Sequence, residues 1–100
     1  MALTELFLVT IITERILRDD IIKQIKELGA TGYTLSDTTG EGSRGVRASD
    51  WEGKNVKIEV VVSKEVGDKI IDVVANTYFE NYSVITYAFP VNVVRGDKYI

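Results

Sequence analysis

From Val56 to Ser63 the sequence reads VKIEVVVS, in which Val or Ile stands at every second position and Lys and Glu stand between them. This alternation predicts a β-strand with one buried face. Outward from it, Tyr33 to Thr38 reads as a short preceding strand and Ser83 to Asn92 as a following one. Near the start of the sequence, Glu5 to Ile12 is apolar without polar alternation, which predicts a strand buried on both faces.

Two amphipathic helices are predicted between these strands, because apolar residues recur there at the spacing of one helix face. Thr13 is expected to cap the first helix, and Gly29 is expected to end it. The resulting order, β-α-β-β-α-β, predicts the ferredoxin-like α+β fold, a four-stranded antiparallel sheet with two helices on one face. The apolar stripes consist of Leu17, Ile21, Ile25 and Leu28 in the first helix, and of Val66, Ile70, Val73, Val74 and Thr77 in the second.

The predicted sheet carries more apolar surface than two helices can cover. Strands one and four have large apolar residues on both faces, including Phe7 with Val9 and Tyr87 with Phe89. Something else must then cover the second face, and for a small chain a closed cyclic oligomer is the simplest solution. The alternative is a strand pair that is merely hydrophobic.

Aromatic residues in the second half of the sequence could suggest stacking of bases, as in single-stranded RNA binders of the same topology. The RNP signatures are missing, however, and the net charge of −3 has the wrong sign. We therefore predict that the protein binds no nucleic acid and that these residues belong to the core and to a subunit interface. They are Tyr78, Phe79, Tyr82 and Tyr87.

The composition excludes several classes of protein. The 100 residues, 45% of them hydrophobic, fit a single domain over residues 1–100. The absence of cysteine excludes disulfides, thiol catalysis and zinc–thiolate sites, and the absence of histidine removes the commonest general base. We predict no catalytic residues and no metal site. The apolar run from Leu6 to Ile12 is too short to cross a bilayer, so we expect a cytoplasmic protein.

A long polar connection separates the second and third strands, at about residues 39–55. It begins GEGSRGVR at Gly40, so that glycines, the Ser43 hydroxyl and two arginines, Arg44 and Arg47, lie close together in sequence. Glycines allow the backbone to approach a ligand, and paired arginines suit an anion, so this composition is typical of phosphate binding. A plain solvated connection would have a similar composition, and that reading stays open.

Three other features lie near the ends of this connection or of the chain. Arg95–Lys98 forms a second small basic turn, which could complete an anion site or could be a frayed tail. Trp51, the only tryptophan, is either an anchor for a partner protein or a ring that folds back on the domain. Four acidic residues could bind a hydrated cation but more often only solvate a loop; they are Asp37, Glu41, Asp50 and Glu52.

Several segments resemble the PII signalling proteins, and together they cover nearly the whole chain. Glu27–Ser36, followed by Gly40–Gly42, resembles the exit of the first helix and the entrance of the T-loop in that family. Val56–Val62 is similar to the third strand, and Pro90–Asn92 followed by Val94–Asp97 is similar to the end of the fourth strand and the C-loop. The resemblance implies one PII-like domain whose T-loop is the long polar connection.

One segment departs from the PII pattern. PII proteins carry a glycine-rich nucleotide loop ending in a lysine after the second helix, whereas Thr77–Ser83 reads TYFENYS here. This segment and Gly42–Arg47 are similar instead to the PII-like branch that includes SbtB, the regulator of the cyanobacterial bicarbonate transporter, and the carboxysome-associated PII proteins.

The branch resemblance implies a homotrimer that binds an adenine nucleotide (AMP, ADP, ATP or cyclic AMP) between subunits, with bicarbonate as a further candidate ligand and no metal required. Arg44 and Arg47 are the implied phosphate ligands, assisted by Arg95 of the neighbouring subunit. The implied partner is a bicarbonate transporter or a carboxysome-associated protein, so any contact with a membrane runs through that partner. The implied nucleotide-binding residues are Thr34, Gly42, Ser43, Arg44, Arg47, Phe89, Arg95 and Gly96, and the partner-binding residues are Arg47 and Trp51.

These implications predict a regulatory sensor of inorganic-carbon metabolism, in which the nucleotide orders the T-loop and a partner reads the loop state. Two alternatives remain open. One is a slow metal-dependent nucleotide phosphatase that uses an acidic loop residue, and the other is a structural trimer without ligand control.

Overall fold

A computed structural model describes residues 2–40 and 55–100 of the protein. Within these residues the strands form one antiparallel sheet in the order β2-β3-β1-β4, and two α-helices accompany it. This arrangement confirms the predicted ferredoxin-like β-α-β-β-α-β fold. The elements are β1 (Leu3–Glu14), a 3₁₀ turn (Arg15–Leu17), α1 (Arg18–Glu27), β2 (Thr34–Thr38), β3 (Asn55–Val62), α2 (Lys64–Tyr78), β4 (Ile85–Val94) and a second 3₁₀ turn (Gly96–Tyr99).

The core lies between the helices and one face of the sheet. Alternate residues of a strand point to the same face, so Val9 and Ile11 of β1 stand beside Val60 and Ile58 of β3, which are their paired neighbours. All four are fully or almost fully buried. The helices complete the cluster with Ile21 and Ile25 from α1 and with Ile70 and Val74 from α2.

The prediction that Thr13 caps the first helix is wrong. Thr13 lies inside β1, opposite Val56, and is fully buried. The pairing of β1 with β3 continues through this position, and the ladder bonds and burial outweigh the local preference of threonine for a helix start. The chain enters α1 through the 3₁₀ turn instead, and Leu17 precedes the helix without a side-chain capping bond.

Other helix ends agree better with the sequence. Gly29 has a φ of 123°, a conformation that residues with a Cβ rarely adopt, and α1 ends two residues before it as predicted. Ser63 caps α2, because its Oγ accepts a hydrogen bond of 3.2 Å from the backbone N–H of Val66.

The second face of the sheet lies opposite the helices, and we call it the open face. Tyr87 and Phe89 of β4 are 43% and 47% exposed there in the single chain. The second 3₁₀ turn packs at one end of this face, where Gly96 meets the side chain of Thr4. The residues that the pairing places on the open face include Leu8 and Thr10 of β1, Glu59 and Val61 of β3, and Tyr87 and Phe89 of β4.

Candidate functional site

A cleft of about 420 Å³ lies on the open face, where β1, β2 and β3 meet the second 3₁₀ turn. Its volume falls in the range of pockets that bind small molecules and cofactors, which is about 300–1,000 Å³. The cleft has both polar and apolar walls. It is lined by Leu8, Gly32, Tyr33, Thr34, Glu59, Val61 and Tyr99.

The register of the sheet assembles the floor of this cleft. Leu8 pairs with Val61 across β1 and β3, and Glu59 pairs with Thr34 across β3 and β2. Residues two apart in a strand share a face, so these four side chains stand together. Leu8 and Val61 supply apolar surface, while the carboxylate of Glu59 and the hydroxyl of Thr34 supply polar groups.

Two tyrosines form the aromatic part of the lining. Tyr33, 41% exposed, immediately precedes β2, and Tyr99, 38% exposed, belongs to the second 3₁₀ turn. The ammonium of Lys26 lies 5.4 Å from the centre of the Tyr33 ring, a cation–π distance. The end of α1 therefore brings a positive charge beside one rim of the cleft.

Glu59 has a charged neighbour on the same strand. Nζ of Lys57 lies 4.0 Å from Oε1 of Glu59, and both side chains are about one-third exposed. A long, partly exposed pair of this kind contributes little to stability, about 0–1 kcal/mol. The Glu59 carboxylate therefore keeps the capacity to accept hydrogen bonds from a ligand in the cleft.

The turn that carries Tyr99 depends on an unusual backbone conformation. Arg95 has a φ of 63°, in the left-handed region that residues other than glycine seldom occupy. The chain therefore bends sharply after β4, and the N–H of Lys98 donates to the carbonyl of Arg95 at 3.1 Å. The bend directs the last residues across the open face, towards Thr4 and the cleft.

The structure places only some of the predicted nucleotide-binding residues in or beside the cleft. Thr34 lines the cleft, and Phe89 lies next to it on the open face, opposite Leu8 in the pairing of β4 with β1. Arg95 is exposed at the bend and Gly96 is buried against Thr4. Neither residue lines the cleft, although the 3₁₀ turn that begins at Gly96 carries Tyr99, which does. The other predicted site residues lie outside the described residues; they are Gly42, Ser43, Arg44, Arg47 and Trp51.

Sequence reasoning missed most of the cleft lining. The sequence indicates Leu8, Glu59 and Val61 only as strand residues. The alternation from Val56 to Val62 assigns Glu59 and Val61 to the face opposite the core, whereas the segment around Leu8 has no alternation that would assign it to a face. No sequence pattern near Tyr99 indicates that it lines the cleft, because its position depends on the backbone conformation of Arg95.

The segment after α2, where PII proteins have their glycine-rich loop, is tied to the rest of the domain. The Tyr78 hydroxyl donates to Oε1 of Gln24 at 3.0 Å, and the Tyr78 and Tyr82 rings meet edge to face at 6.0 Å. Burial, followed by the charge of Asp20, raises the pKa of Tyr78 above its ordinary value of 10.0. Of the aromatic set, Tyr78 is in the core as predicted, while Phe79 and Tyr82 are exposed in the single chain.

Two further observations bear on function. In the ranges 2–40 and 55–100, no three acidic side chains come together in a way that could hold a metal ion. Asp37 instead accepts a hydrogen bond of 2.8 Å from Arg15. Neither helix in this part of the chain has the length and apolar character needed to cross a membrane.

Comparison with known proteins gives consistent matches. The family model described as "Nitrogen regulatory protein P-II" matches residues 6–98. A crystal structure described as a PII-like signaling protein from Thermus thermophilus is 47% identical, with all of both chains covered and a TM-score of 0.88. CPII, a nitrogen regulatory PII-like protein from Thiomonas intermedia bound to ADP, AMP and bicarbonate, is 22% identical over 98% of this chain and 96% of its own, with a TM-score of 0.85. At 22% identity the second likeness shows the fold alone.

Proposed function

The chain belongs to the family of P-II nitrogen regulatory proteins, and from this we propose that it is a PII-like sensor which binds an adenine nucleotide between subunits, where the cleft on the open face of one subunit meets its neighbour. Members of this family are signalling proteins rather than enzymes and are typically trimers. A trimer matches the family and the apolar open face, which the subunits would cover for one another.

The lining of the cleft is the observation that carries this proposal. A purine base has two apolar faces and polar edges, and it needs apolar or aromatic walls together with a few fixed polar groups. Leu8, Val61 and the two tyrosines supply the walls. Glu59 accepts hydrogen bonds from an amino or ribose hydroxyl group, and Thr34 can donate or accept one.

In this proposal the T-loop, at residues 39–55, binds the phosphate of the nucleotide. Thr38 and Asn55 are paired, so residues 39 to 54 leave and re-enter the sheet at one point. Half of these residues, fully extended, reach about 26 Å at roughly 3.3 Å per residue. Thr34 lies about 13 Å back along β2 by the same spacing. The loop is therefore long enough to bring Arg44 and Arg47 to the cleft, with the amide of Gly42 and the hydroxyl of Ser43 beside them.

The regulatory step is a shift in the population of T-loop states. A bound phosphate favours the loop state in which the arginines reach it, and a partner that prefers one state then senses the nucleotide. Trp51 and Arg47 form the surface that the partner contacts. Arg95, at the bend after β4, assists from the neighbouring subunit.

The proposal also includes a more specific role, in inorganic-carbon metabolism. It rests on the resemblance to the SbtB and carboxysome-associated branch, and the fold likeness to CPII, described as bound to bicarbonate, supports it. Bicarbonate is therefore a candidate second ligand. The partner would be a bicarbonate transporter or a carboxysome-associated protein, reached from the cytoplasm.

Isothermal titration calorimetry tests the nucleotide site directly. We expect saturable binding of at least one of AMP, ADP, ATP and cyclic AMP. Each charged hydrogen bond to phosphate contributes roughly 1.5–3 kcal/mol, so Arg47→Ala should weaken binding about tenfold or more. Arg18→Ala is the matched control, because this exposed arginine of α1 pairs with Asp19. The proposal fails if none of the four nucleotides binds to the wild-type protein.

Limited proteolysis tests the loop. A sensor should show a nucleotide-dependent change in cleavage between Gly40 and Lys54, whereas a structural trimer without ligand control should show none. A thermal-shift series with bicarbonate, alone and with each nucleotide, tests the carbon-related role.

A further inference from the structure

We propose that Glu14, the last residue of β1, and Arg15, which follows it, couple the segment after α2 to the root of the T-loop, so that the two loosen together. The segment after α2 is residues 79–84, and the root is the place where β2 ends and β3 begins. The inference rests on the proposed function for the regulatory role of the T-loop. It goes further because it makes the segment after α2 a second point from which that loop is controlled.

Three strands end side by side at the root of the T-loop. Thr38, the last residue of β2, pairs with Asn55, the first residue of β3, and Asn55 also pairs with Glu14. Thr13, one residue before Glu14, is fully buried. The end of β1 is therefore packed into the domain directly beside the place where the T-loop begins.

Arg15 binds the root of the T-loop. Its Nη2 donates a hydrogen bond of 2.8 Å to Oδ1 of Asp37, which lies one residue before the end of β2. The Arg15 side chain is 29% exposed and that of Asp37 is 56% exposed. A partly exposed ion pair of this kind changes a local opening equilibrium by about two- to fivefold.

Glu14 binds the segment after α2. Its Oε2 accepts a hydrogen bond of 2.6 Å from the backbone N–H of Ser83, and the residue is only 7% exposed. A carboxylate buried to this extent does not remain in place without a donor, because an unpaired charge is poorly solvated inside a protein. If the segment moves away from Glu14, the carboxylate must therefore turn towards water.

The peptide bond between Glu14 and Arg15 joins these two contacts. A movement that exposes the Glu14 carboxylate shifts the backbone at the end of β1 and displaces the Arg15 guanidinium from Asp37. The root then loses its ion pair although none of its own residues has changed. Coupling between two equilibria is reciprocal, so loss of the Arg15–Asp37 pair also loosens the segment after α2.

Hydrogen exchange, measured by mass spectrometry without ligand, tests the coupling. Ser83→Pro removes the N–H that donates to Glu14 and leaves the buried carboxylate unpaired. Deuterium uptake by peptides that cover β2 should become about two- to fivefold faster, which is the contribution of one partly exposed ion pair. Uptake by core peptides of α2, around Ile70 and Val74, should stay unchanged, and this separates local opening from a loss of fold.

Two further variants identify the cause of any change in β2. Ser83→Ala keeps the N–H and is the matched control, so its uptake should equal that of the wild type. Ser83→Pro combined with Glu14→Gln keeps the size of the buried side chain but removes its charge. An unpaired amide costs much less to bury than an unpaired charge, so uptake by β2 should return most of the way to the wild-type rate.

The reverse direction is tested at the root. Asp37→Ala removes the acceptor of Arg15 and should accelerate exchange in peptides that cover residues 79–84 by about two- to fivefold. Asp37→Glu keeps a carboxylate and should have a smaller effect. Asp68→Ala is the matched control, because it breaks an ion pair of 3.1 Å with Lys64 at the other end of α2.

The possible outcomes are distinct. Unchanged uptake by β2 in Ser83→Pro would overturn the inference, and so would equal acceleration with and without Glu14→Gln. Acceleration in one direction alone would contradict it as well, since coupling is reciprocal. If the wild type binds no adenine nucleotide, the proposed function fails, whereas the exchange rates still decide whether the coupling exists. If the wild type binds ADP and the exchange rates do not respond, only the inference is overturned.

Discussion

Glu14 accepts a hydrogen bond from the backbone N–H of Ser83 at 2.6 Å, although the two residues are 69 positions apart in the chain. The carboxylate is at the end of β1 and Glu14 is only 7% exposed. This bond holds the segment between α2 and β4, and it accounts for the start of β4 at Ile85 rather than at the predicted Ser83, whose N–H is engaged elsewhere. A charged group thus organises the segment where other PII proteins have a glycine-rich loop.

The first prediction concerns this bond. Glu14→Ala leaves a partly buried N–H without its acceptor, so the free energy of unfolding should fall by about 1–3 kcal/mol. Glu14→Gln keeps an oxygen acceptor and should lose less than half as much. Urea denaturation measures both, and Glu27→Ala, at an exposed position near the end of α1, is the control. Equal stability of Glu14→Ala and the wild type would show that the bond does not stabilise the fold.

The second prediction concerns the buried hydroxyl of Thr13. Its Oγ1 has no hydrogen-bond partner among the described residues, and the side chain is fully buried. Thr13→Val replaces this oxygen with a methyl group of similar size, so we expect the free energy of unfolding to rise by about 1 kcal/mol. Thr13→Ser keeps the hydroxyl and loses the methyl group, and it should be less stable than the wild type. A destabilised Thr13→Val would mean that the hydroxyl has a partner, such as a bound water molecule.

The third prediction is a pH dependence from Tyr78. Burial raises the pKa of this hydroxyl above 10.0, so the folded protein holds the proton at pH values where the unfolded chain loses it. The stability that this proton contributes is complete below about pH 10 and is lost as the pH rises through the folded pKa. Urea denaturation between about pH 8 and about pH 11, across the tyrosine range, should show a decline that is smaller in Tyr78→Phe. The same decline in both proteins would contradict the assignment to Tyr78.

The order of the strands and helices could be predicted from the sequence. Particular residues show the physical reasons. The alternation from Val56 to Val62 reports a strand with one buried face, and this pattern does not depend on partners. Gly29 marked the end of α1 because its backbone conformation is one that other residues avoid. The prediction that Thr13 caps the first helix was wrong because a capping preference is local and weak, whereas the position of Thr13 in β1 follows from its pairing with Val56.

The site was harder to predict because it depends on register and on one bend. Leu8 and Val61 become neighbours only when β1 and β3 pair as they do, and a shift of β3 by one residue would turn the Val61 side chain to the opposite face of the sheet, away from Leu8. Tyr99 reaches the cleft through the left-handed conformation of Arg95, for which an arginine gives no sequence signal. The phosphate-binding roles of Arg44 and Arg47 remain predictions.

The fourth prediction tests the polar end of the cleft. Glu59 is the acidic residue of the cleft lining. An ionised carboxylate accepts hydrogen bonds but cannot donate them. Glu59→Gln replaces the charged acceptor with a neutral one, so a hydrogen bond from a ligand N–H or O–H should weaken from roughly 1.5–3 kcal/mol to roughly 0.5–1.5 kcal/mol. ADP binding should therefore weaken about five- to tenfold. Because glutamine has nearly the same size, the apolar walls stay in place and unfolding stability should change little.

The matched control for Glu59→Gln is Glu65→Gln, since Glu65 lies in the first turn of α2 and not in the cleft. Comparison of ADP with 2′-deoxy-ADP then identifies the ligand donor. If Glu59 accepts the bond from the ribose 2′-hydroxyl, Glu59→Gln and removal of that hydroxyl should not be additive, because both changes act on the same bond. If the bond comes from the amino group of the base, the two changes act on different bonds and their effects on affinity should multiply. Unchanged ADP affinity in Glu59→Gln would exclude this carboxylate from the site and would move the nucleotide away from the β2–β3 side of the cleft.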